Sequence, residues 1–73
     1  MSLGLPGEVV GVHGTSVVID CWGTECVVRI ESPDETLLPG DFIIADEGIV
    51  VRRIPPEDVD RTMELYATVL AEA

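Results

Sequence analysis

Glycines recur at Gly7, Gly11, Gly14, Gly23, Gly40 and Gly48, and the apolar runs between them are only a few residues long. Runs of that length are too short for stable helices, and their valines and isoleucines carry the branched Cβ that suits a pleated strand. The first two thirds of the chain therefore read as a meander of short strands joined by tight turns. Glu8 to Val12 forms a first strand, ended by Gly14. Val17, Ile19 and Cys21 alternate with Val18 and Asp20 in a second, with one apolar and one mixed face. Trp22-Gly23-Thr24-Glu25 turns the chain into a third, Cys26 to Ile30, with Gly23 taking a backbone angle that a Cβ resists. In this register Cys21 and Cys26 share the apolar face with Val28 and Ile30.

Glu31 to Thr36 is polar throughout and reads as an exposed loop, and Pro39-Gly40-Asp41 as a tight turn launching the next strand. Phe42 to Ala45 and Ile49 to Ile54 then make a second hairpin around Asp46-Glu47-Gly48. After Pro55-Pro56 the hydrophobic period changes. Val59, Met63, Tyr66 and Leu70, with Val69 adjacent, recur every three or four residues on one face of a helix. Pro56 suits its first position, and Glu57, Asp58 and Asp60 complement the positive end of its dipole. Five short strands and one amphipathic helix predict a mainly β fold: a small, partly open barrel of the OB type over residues 1–54, with the helix, 55–73, packing its face against the barrel. With 73 residues, only one domain is expected, 1–73.

Fourteen acids against four arginines (Arg29, Arg52, Arg53 and Arg61) and no lysine give a net charge of −10. Phosphate backbones and anionic membranes are repelled by such a surface, so neither nucleic acid nor membrane is an expected partner. An OB module for nucleic acid would need basic and aromatic residues on its sheet, and here there are only Trp22, Phe42 and Tyr66 beside those four arginines. No apolar run approaches the roughly 20 residues that span a bilayer, and no signal peptide opens the chain, so a cytoplasmic location is expected. No spacing joins Ser2 or Ser16, His13 and an acid into a nucleophilic unit, so the chain does not read as an enzyme.

Several pieces carry a family resemblance. Met1-Ser2-Leu3-Gly4-Leu5-Pro6-Gly7-Glu8-Val9 resembles the opening of HypC/HupF proteins, in which Met-Cys is followed by small and aliphatic residues, Pro-Gly and a strand. Val18-Ile19-Asp20 before a glycine hairpin, Pro39-Gly40-Asp41-Phe42-Ile43-Ile44, and the acidic carboxyl-terminal helix are similar to the family as well. The resemblance covers nearly the whole chain. It implies a hydrogenase maturation chaperone that binds a HypD-like scaffold protein and the precursor of a nickel-iron hydrogenase large subunit while the iron centre, with its cyanide and carbon monoxide ligands, is assembled. In the family the second residue is a cysteine and the position aligned with Asp46 a histidine; Ser2 and Asp46 stand there instead. Two such departures point to a diverged paralogue, for which two readings stand: it is iron-free, or it meets iron transiently through a partner; no cofactor is expected to be bound stably.

The segment Ser2, Leu3, Gly4, Leu5, Pro6 and Gly7 is the candidate partner contact, with Pro6 stiffening a short finger; the competing reading is that Leu3 and Leu5 plug the barrel end. Cys21 and Cys26 read as small buried apolar residues, with a metal pair or a cross-strand disulfide as alternatives. His13 reads as an exposed turn residue. Asp46-Glu47 reads as a solvated hairpin tip, or as a weak oxygen site for a hard cation. One of Arg52 and Arg53 is expected to pair with a helix carboxylate. A structural subunit of another complex, held by strand pairing, is the second functional reading.

Overall fold

The computed structural model describes residues 4–32 and 35–72. Five strands, β1 (Leu5–His13), β2 (Ser16–Cys21), β3 (Thr24–Arg29), β4 (Phe42–Asp46) and β5 (Ile49–Ile54), close into a barrel in the order β1-β2-β3-β5-β4. A 3-10 turn, Pro56–Asp58, leads into the helix α1 (Val59–Glu72). The mainly β barrel with a carboxyl-terminal helix is the architecture that the strand lengths and the change of period predict.

Three of the barrel's turns follow from local chemistry. Between β2 and β3, Trp22 (φ 50°) and Gly23 (φ 92°) both take left-handed backbone angles, and the Gly23 N–H donates to Asp20 Oδ1 at 2.8 Å. Two such residues make the kind of hairpin whose twist matches its strands. Glu47 (φ 53°) and Gly48 (φ 79°) repeat this between β4 and β5. Ahead of β4, Pro39 and Gly40 (φ 96°) sit inside a turn closed by Asp41 N–H to Leu38 O at 3.0 Å. The Asp41 carboxylate, Oδ2, accepts from Leu38 N–H at 2.9 Å, and Gly40 N–H donates to Val9 O at 2.8 Å, which pins the turn to β1. The loop expected over Glu31 to Thr36 is irregular where described, and Pro33 and Asp34 lie outside the described residues.

Alternation builds the core. Val17 and Ile19 of β2 and Val28 of β3 point inward with Val9, Ile43, Ala45 and Val50, and Ile30 and Leu37 complete the cluster. Val9, Val17, Ile19, Ile43 and Ile54 are at most 1% exposed. Each such side chain stabilises the fold by about 2 kcal/mol relative to exposure.

Closure is uneven. β2 and β3 pair along their whole length, whereas β3 meets β5 in parallel through one residue pair, Arg29 and Ile49, with Arg29 N–H donating to Gly48 O at 2.8 Å. Thr24 to Val28 thus forms no strand pair with β5. The helix is a correction to the expected packing. Val59, Met63 and Tyr66 are half-buried on the barrel side, no residue of α1 is buried, and Val69 and Leu70 are 38% and 41% exposed. The face described by the period is real, but the barrel covers only its first half. Arg52 and Arg53 are both exposed, and among the described residues the helix-terminal ion pair is Arg61 with Asp58, at 2.6 Å.

Candidate functional site

The amino-terminal segment is a strand sooner than expected. β1 begins at Leu5, and Leu5, Pro6 and Gly7 lie opposite Ala45, Ile44 and Ile43 of β4. Pairing with β2 starts only at Glu8, so Pro6 lies where β1 has one neighbour and its missing N–H breaks no ladder. Gly4 and Gly7 are buried, Pro6 is under 2% exposed, and Leu5 is 45% exposed. Ser2 and Leu3, the other members of the candidate contact segment, lie outside the described residues. In the described part, Gly4 to Gly7 is no free finger: three of its residues are built into the barrel wall, and Leu5 presents its side chain to solvent rather than plugging the barrel.

Glycine is required at Gly4 and favoured by close neighbours at Gly7. At Gly4 (φ 72°) a Cβ would lie 3.0 Å from both Ala45 O and Ile44 Cγ2. At Gly7 it would lie 3.0 Å from Ile19 Cδ1 and 3.1 Å from Cys21 Sγ. Ile44 is 5% exposed yet stands apart from the main core cluster, in contact with the path of Gly4.

Asp46 ends β4 opposite Ile49, is half-buried, and takes part in a polar interaction. Because Leu5 faces Ala45, the start of β1 and the carboxylate of Asp46 share one end of the barrel. Pairing of β1 with β4 brings residues some forty positions apart together, which no local pattern announces. The donor described there is the Asp46 carboxylate. A carboxylate is a hard donor that suits magnesium or calcium, whereas iron carrying cyanide and carbon monoxide calls for soft thiolate. Ser2, by residue type, offers only a hydroxyl. Ser2 lies outside the described residues, a carboxylate such as that of Asp46 is a poor match for such an iron fragment, and no group of three or more His, Cys, Asp and Glu able to hold a metal ion occurs among the described residues.

His13 is exposed at the end of β1, as its place beside Gly14 predicts. The cysteines differ from expectation. They do lie on the inward face, but Cys26 is exposed and Cys21 only half-buried, because β3 has left the barrel wall where they sit. Their sulfurs are 3.8 Å apart. Burial, followed by the hydrogen bond and charge of Cys26 and then by Asp20, pushes the Cys21 thiol up to about 11.

The sequence reading also missed several exposed apolar side chains. Leu38, Val27, Val51 and Leu65 are each about 60% exposed, with Trp22 at 48%. No helix among the described residues is long and apolar enough to cross a membrane. Comparison with curated proteins returns no match. A family model, that of the HupF/HypC family, matches residues 1–66.

Proposed function

Because the chain belongs to the HupF/HypC family, whose members are chaperones of hydrogenase maturation, we propose that it acts by contact with two proteins, a HypD-like scaffold and the precursor of a nickel-iron hydrogenase large subunit. Its role is binding, with no catalysis of its own. The observation that supports this reading is the pairing of β1 with β4, which holds Leu5 to Gly7 in a strand ladder against the strand that ends in Asp46. A segment held by a strand ladder loses little freedom when a partner docks against it, and that favours specific contact. Ser2 through Gly7 is the partner-binding segment, with Leu5 exposed within it.

The chain works as an iron-free paralogue. Ser2 and Asp46 occupy the positions that in the family supply thiol and imidazole, and both offer hard oxygen. The iron fragment is cargo for other proteins, and this chain guards or positions the client while another chaperone delivers the metal.

The test is purification from the native host through a carboxyl-terminal tag, leaving the amino end free, with identification of co-purifying proteins and an infrared spectrum. A scaffold or large-subunit precursor without bands from iron-bound cyanide and carbon monoxide is the expected result. The partner with those bands would put the iron on the partner's own ligands, and only bands that stay with this chain once the partner is removed would overturn the iron-free reading. A permanent, stoichiometric complex with unrelated proteins would overturn the chaperone reading in favour of a structural subunit.

A further inference from the structure

The β2–β3 hairpin carries both cysteines of the chain. Its register sets Cys21 opposite Thr24 and Cys26 opposite Ile19, so the two thiols are diagonal neighbours on one face. That face is the inward one, continuing Val17, Ile19 and Val28, yet here it is open, because β3 touches β5 only at Arg29. Cys26 is exposed, Cys21 half-buried, and their sulfurs are in contact at 3.8 Å. The hairpin therefore holds two thiols together, one of them reachable from solvent.

We propose that Cys21 and Cys26 form a thiol-disulfide exchange site that takes low-molecular-weight disulfides of the glutathione type and closes to an intramolecular disulfide. The alternative for a sulfur pair, a soft metal ion, needs further ligands, and none gathers there among the described residues. A disulfide needs only the two sulfurs. Bond formation requires them to approach from contact to about 2 Å, and Cys26 is the partner that moves, because it is exposed and β3 is unpaired with β5 at its position. Cys21 is the held partner. The backbone of β1 at Gly7 runs so close that a Cβ there would lie 3.1 Å from its Sγ.

The exchange runs in two steps. Cys26 loses its proton, and its Sγ attacks one sulfur of the small disulfide; a mixed disulfide forms, the small S–S bond breaks, and one thiolate leaves and takes up a proton. Cys21 then gives up its proton, and its Sγ attacks Cys26 Sγ. The protein disulfide forms, the mixed disulfide breaks, and the second small thiol departs. Two protein thiols are oxidised, one small disulfide is reduced to two thiols, and the protons balance.

The whole chain, incubated with oxidised glutathione at neutral pH and followed by intact mass and peptide mapping, tests this. The expected product has lost two hydrogens, yields a Cys21–Cys26 cross-linked peptide, and regains both thiols with dithiothreitol. Cys21→Ser should stop at a stable glutathione adduct on Cys26, and Cys26→Ser should react more slowly than either. A stable adduct on the wild-type chain, a covalent dimer, or two free thiols after incubation that modifies an unstructured cysteine peptide completely would each overturn the proposal. Circular dichroism of both variants, expected to match the wild type because serine is close to cysteine in size and neither cysteine is fully buried, shows that the readings come from folded protein.

Discussion

At the residue scale, two glycines separate backbone strain from close approach. Gly4 and Gly14 both have left-handed φ, 72° and 64°, but a Cβ at Gly14 meets nothing within 4 Å, whereas at Gly4 it meets Ala45 O at 3.0 Å. Gly14→Ala is expected to cost about 1 kcal/mol from φ alone, and Gly4→Ala clearly more, because a backbone oxygen cannot swing aside. Urea melts of the two variants check the order. Cys21 supports a second prediction. Its thiol is held at about 11 against an ordinary 9.0, chiefly by burial, so the folded state binds this proton more tightly than the unfolded state does. That contribution is complete below pH 9.0 and is lost as pH rises towards about 11. Denaturant midpoints should fall over this window, and the fall should be shallower in Cys21→Ser.

At the element scale, α1 and β2 answer differently to loss of an apolar side chain. Leu70 is 41% exposed at the far end of the helix, so Leu70→Ser should change stability by no more than about 0.5 kcal/mol. Ile19 is 1% exposed at the centre of the core, and Ile19→Ala should cost about 2–5 kcal/mol through lost burial and the cavity left behind. Thermal melts of the two variants measure the contrast. Periodicity told α1 from the strands because a spacing of 3.6 cannot be confused with 2 over fourteen residues. It could not tell how far the barrel extends beneath that helix. β1 was legible from Glu8 onward, but not its extension to Leu5, because Pro6 removes a donor and marks a strand only where a neighbour is missing.

At the scale of the whole molecule, the barrel is closed by one residue pair between β3 and β5. The Arg29 N–H points across that seam to Gly48 O. By strand alternation the N–H groups of Val27 and Glu25 point the same way and meet no strand there. Hydrogen exchange followed by NMR should find Arg29 protected and Val27 and Glu25 exchanging far faster, with Val28 slow through its pairing with β2. Equal protection of Val27 and Arg29 would mean that the seam is zipped along its length. Strong charge acts at this scale too: a net −10 on so small a body disfavours anionic partners whatever the sheet presents.

What the sequence by itself determined is what depends on near neighbours: the two glycine hairpins, the Pro39-Gly40 turn, the inward alternation of Val17, Ile19 and Val28, the start of the helix at Pro56, and the family-like opening of the chain. Each rests on backbone angles or side-chain periods that a few adjacent residues impose. The tertiary structure alone decided which of those faces is covered. It laid Leu5 to Gly7 along β4 beside Asp46, left half of the helix face open, and drew β3 away from β5 so that Cys26 meets solvent while touching Cys21. The reason is physical: a period states which way a side chain points, whereas its burial depends on a strand tens of residues distant, whose arrival is set by closure of the barrel.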